Sequence, residues 1–511
     1  MMGCMRMMML VWLLGCGKMQ SKSHDVVRET TTYYVSNDGA DGQTGTREAP
    51  MQTINGALAK AKPGDTVFVR GGTYYEKVLF PKSGQLNKVI TLKSFPGEQP
   101  VIDGSGLSIS GKDALVKISN VSYVHIEGFE ICNFKSSTPG VDVNGIVVDG
   151  TSGNIRIADN HIHHIENNAA PAGGRSGHAI EVLGNTTVAI TDILIEGNEI
   201  HDCNTGYSEN LTINGYVDGF VVRKNRIYNG ENIGIVAAGG YAANANPALN
   251  YARNGLIAEN EVFNIDGTTG PIPAFQDNHG AISIYVDGAR SIVIERNWIH
   301  GSDRGIGIVS ENDNFPTEDC IVRNNVVQDC FLTGIYLGGY LRYTGGGTRN
   351  CYVVNNTLVM NNRVHGYYDE IEGEIRLTEN CMNNVIRNNL IYTRQDGVFV
   401  HKYNASGSGN IIDNNVYDSP GGATWIWEGA QQTVFSAWQG ASQQDASSLS
   451  GKDPQFVNAA TGDFRLETTS PAISAGVVID AGIHGDVDFG GQPRMVGGTI
   501  DVGAYQHHPD R

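Results

Sequence analysis

The sequence predicts an all-β chain, a right-handed, single-stranded parallel β-helix (solenoid) with a short N-terminal capping helix. Three observations carry this. A pattern of apolar, any, apolar, two polar, Asn, any, apolar keeps returning, as Ile155-Arg-Ile-Ala-Asp-Asn160-His-Ile162, Ile193-Leu-Ile-Glu-Gly-Asn198-Glu-Ile200 and Phe220-Val-Val-Arg-Lys-Asn225-Arg-Ile227. It recurs around Asn260, Asn297, Asn325, Asn356, Asn389 and Asn415, a drifting period of a few tens of residues that marks a solenoid. Inside each repeat one side chain in two is apolar, as a pleated strand with one buried face requires. The Asn itself suits a tight turn: it tolerates left-handed backbone geometry and can hydrogen-bond to the Asn of the next coil, forming a ladder. Val124-His-Ile-Glu-Gly-Phe129-Glu-Ile131 fits the same frame with Phe in the Asn position.

In chain order, Arg6 precedes a short apolar run that ends Leu13-Leu14-Gly15-Cys16. The run is too short for a retained membrane span. It resembles a bacterial lipobox, which implies a signal peptide over 1–15, lipidation of Cys16 and a tether over 16–32. An ordinary secretory signal is the alternative. The expected location is outside the cytoplasm, as a membrane-anchored lipoprotein at the bacterial cell surface or in the periplasm, with membrane contact only through the lipid. Strand-like Tyr33-Tyr-Val-Ser opens the folded part, and in 52–61 the apolar Ile54, Ala57, Leu58 and Ala61 fall on one helical face. A helix there would cover the open end of the solenoid. The β-helix is expected over 33–417. Residues 418–511, with Trp425, Trp427 and Trp438 at their start, are expected to close it, and Asp486, Asp488, Arg494 and Asp501 to serve as structural pairings.

A formal charge of −18 over 511 residues argues against nucleic acid and anionic membrane surfaces as partners. An acidic protein that binds an acidic polymer needs local cations or a bridging divalent ion. Six cysteines beyond Cys16 match no zinc spacing. Cys320 and Cys351 occupy one repeat position in neighbouring coils and are expected to stack as small buried residues, a disulfide being the less favoured reading.

The opening Tyr33-Tyr-Val…Gly45-Thr…Pro50…Thr53-Ile54…Pro63-Gly-Asp-Thr-Val…Gly71-Gly-Thr-Tyr resembles that of the pectate-lyase-like β-helix superfamily, and is most similar to family 9 polysaccharide lyases and related β-helix glycosidases. With the repeats, the resemblance covers 33–417 and speaks to architecture more than chemistry. Val217-Asp-Gly-Phe-Val221 is similar to the Asp-Asp-Gly-Phe-Asp stretch that supplies Ca²⁺ ligands in family 9 lyases. Only Asp218 keeps an acid there, so the resemblance implies at most a partial Ca²⁺ site.

Each repeat also holds a second strand of the form Gly/Ala-apolar-x-apolar, whose middle residue faces outward. Stacked, these residues give the column Glu181, Thr212, Val236, Ser283, Gly307, Tyr336, Arg376 and Phe399, a groove floor with coils ~4.8 Å apart. Asp287 and Glu311 are read as one register position in adjacent coils. They could share a Ca²⁺, act as acid and nucleophile of a retaining glycosidase at about 5 Å, or be solvated turn acids. His178 and Glu209 are read as equivalent positions suited to proton transfer, or as a turn cap beside a solvated acid. Arg376 is the candidate cation for stabilising an enolate-like anion, with a solvated residue on Tyr336 as the alternative. Glu181, Tyr285, Tyr336 and Lys402 are candidate substrate contacts. Asp218, Asp287 and Glu311 are the candidate metal ligands. The inserts at 239–253, 267–279, 312–318 and 338–349 would wall the groove.

The first expectation is therefore a monomer that cleaves a uronic-acid-containing polysaccharide by β-elimination. A glycoside hydrolase on the same scaffold is the second, and a non-catalytic glycan-binding surface protein the third.

Overall fold

The computed structural model describes residues 29–170, 174–364 and 373–509. The leader, Cys16 and all but the end of the tether lie outside the described residues. The strands form three long sheets, of 16, 13 and 13 strands, and neighbours in each come from successive coils. One coil shows the plan: Asp218–Arg223 lies in sheet one, Arg226–Gly230 in sheet two and Ile233–Ala238 in sheet three. The next coil repeats it with Arg253–Ala258, Glu261–Ile265 and Ile282–Asp287, all paired in parallel with their predecessors. This is the right-handed parallel β-helix that the repeat pattern predicts.

The alternation resolves into inward columns. Ile157, Ile195, Val222, Ile257 and Ile294 stack in register along sheet one, and each is fully buried. Every coil buries its own apolar set against the next, so the core is one continuous rod.

The asparagine ladder is present from Asn160 to Asn415. Each Oδ1 accepts twice from the preceding coil. Asn297 Oδ1 takes the backbone N–H of Asn260 at 3.0 Å and its Nδ2 at 2.9 Å, and Asn297 Nδ2 then donates to Asn325 Oδ1 at 3.0 Å. Nδ2 also donates to the carbonyl of Ile257 at 3.0 Å. Phe129, with no side-chain amide, gives only its backbone N–H to Asn160. The left-handed residue is the one before each ladder Asn, not the Asn itself: Asp159, Gly197, Lys224, Glu259, Arg296, Asn324, Asn355, Asn388 and Asn414 all have φ near +55° or slightly above. The turn strain thus falls on a neighbour while the Asn side chain points inward to bond. A second, shorter ladder uses Cys351 and Asn384: Cys351 Sγ accepts from the N–H of Cys320, and Asn384 Oδ1 accepts from that of Cys351 at 2.9 Å. The two cysteines stack as buried thiols.

The capping helix spans Ile54–Lys60. Thr53 caps it, its hydroxyl accepting from Gly56 N at 3.0 Å, and Ile54, Ala57 and Leu58 are buried against the first coil. At the other end Trp438 is fully buried in the same core, and its indole N–H donates to Asp445 at 2.7 Å. The chain then returns along sheet two, where Leu466, Ala472 and Val502 pack on Leu390 and Val416. Arg494 is fully buried but serves backbone, donating to the carbonyls of Asp501 and Gly503.

Two members of the expected outward column are corrected. In register with Val236 and Gly307 stands Tyr285, not Ser283: Ile282 aligns with Ile233 and Arg304, so the counterpart of Gly234 and Gly305 is Ser283 rather than Ala281. At the far end His401 pairs with Arg376, and a register irregularity sends Phe399 into the core against Trp425 and Tyr417.

Replacing Asn297 with Ala leaves two donors and a carbonyl without partners inside the rod. The expected loss is about 3 kcal/mol of unfolding free energy, read from denaturant midpoints; a loss under about 1 kcal/mol would contradict the ladder's structural weight.

Candidate active site

Sheet three carries the site. Its outward column runs Lys117, Val147, Glu181, Thr212, Val236, Tyr285, Gly307, Tyr336, Arg376 and His401. A cleft of about 580 Å³ lies over its middle and joins two polar groups.

The first group lies on the earlier coils. Lys112 reaches both Asp142, at 3.0 Å, and Glu181. His178 Nδ1 lies 2.8 Å from Thr212 Oγ1 and 3.4 Å from Glu209. Thr212 gives its one proton to Glu209 at 2.8 Å, so it must accept from His178 Nδ1–H, which leaves Nε2 facing Asp142 at 3.9 Å. Burial raises the pKa of Glu209, and the His178 charge opposes that rise.

The second group centres on two carboxyls. Asp287 is 1% exposed at the end of strand Ile282–Asp287. Its register partner is Val309, so Glu311 lies two residues beyond the position expected for it. The chain nevertheless brings the pair together: Asp287 Oδ1 accepts the Glu311 backbone N–H at 2.7 Å, and the Tyr241 hydroxyl touches both Asp287 Oδ2 and Glu311 Oε2, the latter at 3.1 Å. Glu311 Oε1 also accepts from Tyr285 at 2.8 Å and Tyr340 at 3.2 Å. Tyr241 has one proton for two carboxyls. The other contact is completed when a carboxyl carries a proton of its own, and Asp287 is the one so disposed. Burial first, and the Glu311 charge second, hold its pKa well above the ordinary carboxylate range.

The inserts position these groups. Asn312 holds the 239–253 insert by donating to Gly240 O at 3.1 Å, and Tyr343 from the 338–349 insert donates to Glu311 O at 2.7 Å. Below them Gly307 has no side chain because the rings of Tyr285 and Tyr336 close over it; a Cβ there would stand 2.7 Å from each. The Tyr336 ring has the Arg304 guanidinium at 5.4 Å and that of Arg376 at 5.7 Å.

The structure therefore gathers His178, Glu181, Glu209, Asp287, Glu311, Tyr285, Tyr336 and Arg376 on one sheet. Two expected site residues stand apart. Lys402 occupies an inward register position beside Leu377, and its ammonium serves the carbonyls of Asn404 and Ser406. Asp218 begins a strand of sheet one, where it accepts from Asn254 at 2.7 Å, so it does not join Asp287 and Glu311 as a third metal ligand. Sequence reasoning missed Lys112, Asp142, Arg304 and Tyr241. Arg304 shares the register column of His178 and Glu209, and Tyr241 lies in an insert already read as a groove wall, so both left a signal.

The chain matches two family descriptions, "Pel9A-like, right handed beta helix region" over 33–231 and "Right handed beta helix region" over 282–437. The protein YwoF of Bacillus subtilis (strain 168) is 33% identical over 442 residues, which is 86% of this chain and 91% of YwoF. Pectate lyase PEL9 of Emericella nidulans is 35% identical over 105 residues, 20% of this chain and 26% of that protein. The solved complex of XylC with xylose superposes with a TM-score of 0.56 at 13% identity, covering 93% of this chain and 98% of the other, a likeness of fold.

Because the folded Asp287 keeps its proton where an unfolded one has lost it, stability falls as pH rises above about 4. Asp287→Asn lacks that loss. Its melting temperature should exceed that of the unmodified protein at pH 7.5, and the gap should narrow toward pH 4. A variant less stable at pH 7.5 would mean that the charged carboxylate is the form the fold supports.

Proposed function

Because this chain belongs to the pectate-lyase-like right-handed β-helix family, we propose that its cleft processes a carbohydrate chain and hydrolyses a glycosidic bond with Asp287 and Glu311 as the acting pair. The observation that carries this is the Tyr241 hydroxyl shared between the two carboxyls. A single bridging oxygen keeps them about 5 Å apart at most, the separation at which one carboxylate attacks the sugar directly and the configuration is retained.

In this reading Glu311 is the carboxylate. Three phenolic O–H groups converge on it, and its partly exposed side chain faces the cleft. Asp287 keeps the proton and, being buried, passes it through Tyr241, which is 48% exposed. Glu311 bonds to the anomeric carbon as the glycosidic C–O bond breaks. The leaving oxygen takes the proton of Tyr241, which Asp287 replaces. Water then cleaves the glycosyl ester and returns its proton by the same path. Lys112, Glu181 and His178 line the cleft on the earlier coils, where they offer hydrogen bonds to sugar hydroxyls.

A lyase is the second reading. It is favoured by the Pel9A-like match over 33–231, which contains Lys112, His178 and Glu209. It would use His178 and Glu209 as base and Arg376, or a bound Ca²⁺, to stabilise the anion. The charge balance favours hydrolysis, since Lys112 is already held between Glu181 and Asp142. The partner in either case is a polysaccharide, met by a monomer held outside the cell membrane through Cys16.

With polysaccharide panels, the hydrolase should release reducing ends without the ultraviolet absorbance of unsaturated uronides. Glu311→Gln and Asp287→Asn should each lower kcat/KM at least about 1,000-fold with folding intact. Rising absorbance that is lost in Arg376→Ala but kept in both carboxyl variants would overturn the hydrolase in favour of the lyase.

A further inference from the structure

On sheet two, away from the cleft, four histidines of two adjacent coils cluster with Glu130 of the coil before. His161 and His163 stand two apart on strand His161–Asn167 and so point to the same side. Glu130 is the register partner of His161 in the coil before, and His201 is the partner of His163 in the coil after. The ligand atoms of Glu130, His161 and His163 all lie within 4.8 Å of one another. His201 Nε2 is 2.6 Å from His161 Nε2, His163 Nε2 is 3.3 Å from Glu130 Oε1, and His163 Nδ1 is 2.6 Å from His164 Nδ1.

We propose that Glu130, His161, His163 and His201 form a site for a divalent transition-metal ion of the Zn²⁺ class, which staples three coils of the solenoid together. The donor chemistry is three imidazoles and one carboxylate, a set suited to Zn²⁺ rather than to Ca²⁺ or Mg²⁺. The tautomer is prepared: Asp202 Oδ2 lies 2.6 Å from His201 Nδ1 and accepts its proton, so the lone pair of His201 Nε2 faces His161. In the metal-free state the two Nε2 atoms are joined by one proton. A metal ion displaces that proton and takes both lone pairs, which requires the nitrogens to open by under about 1 Å for Zn–N bonds of ~2.0–2.1 Å. Both His163 and His201 side chains keep 14% exposure, enough for an ion to enter. Negative charge is at hand in Glu199, which is fixed by Tyr228 at 2.9 Å and Arg226 at 3.2 Å. Beyond His201 the stack continues through Tyr228, Phe263 and His300 at about 4.7–4.9 Å between centroids, which limits ring movement on that side.

The test uses the full chain without a polyhistidine tag, stripped with chelator and titrated with Zn²⁺ by calorimetry and with Co²⁺ by visible absorption. One equivalent should bind, with a tetrahedral Co²⁺ spectrum and a raised melting temperature. His161→Gln with His201→Gln should weaken Zn²⁺ binding more than about 100-fold, and Asp202→Asn about 10- to 100-fold. Asp202→Asn leaves every imidazole in place, so it decides the matter even if the double variant misfolds. His300→Gln, further along the same stack, should bind as the unmodified chain does. Absence of one-equivalent binding would overturn the proposal. So would binding that survives both variants, as when the ion sits instead at Asp266, His279 and Asp303.

Discussion

The structure depends on one repeated interaction, the asparagine amide that accepts two N–H groups from the coil before and donates to the coil after. Stacked apolar columns drive the coils together, but a column of Ile and Val tolerates sliding along the strand. The amide does not: its donors and acceptor are spaced for one register, and in the dry interior an unmatched amide is costly. Each ladder Asn therefore fixes the phase of its coil at the corner between sheets one and two. The left-handed residue just before it makes the corner sharp enough for the next strand to start in step.

Fixed phase is what allows a site to be assembled from distant sequence. Lys112 and Glu181 meet over 69 residues of chain, and Tyr241 and Glu311 over 70, because each coil returns sheet three to the same place. The inserts differ from coil to coil and supply Tyr241, Tyr340 and Tyr343, while the rod below stays regular. The rod also tolerates what the site requires of it. A buried, proton-holding Asp287 is an unfavourable placement for a carboxyl, and it sits where neighbouring coils over-determine the backbone.

Much of this was legible. The Asn pattern gave the architecture and the ladder, and the pairing of His178 with Glu209 followed from position within the repeat. What failed did so for local reasons. Ala281-Ile-Ser-Ile284 mimics the small-apolar-x-apolar frame two residues early, which puts Ser283 where Tyr285 belongs, and the irregularity after Val398 turns Phe399 inward and His401 outward. Register in a short strand is set by its neighbours' hydrogen bonds, which a pattern of apolar letters does not report. Lys112 precedes the first clear repeat, and the insert that holds Tyr241 is legible as a groove wall although nothing in a loop sequence says which way an aromatic side chain folds. Asp218 carries the likeness to a calcium-binding stretch, yet its position in the coil places it on a different sheet from the cleft.

The most direct test of the central claim is a crystal structure of the Glu311→Gln protein with an oligosaccharide chosen from the polysaccharide panel. The account predicts a sugar chain lying along sheet three, with a glycosidic oxygen within hydrogen-bonding reach of the Tyr241 hydroxyl and an anomeric carbon beside residue 311. A chain bound on another face, or one crossing sheet three with residue 311 and Tyr241 away from any glycosidic bond, would contradict it.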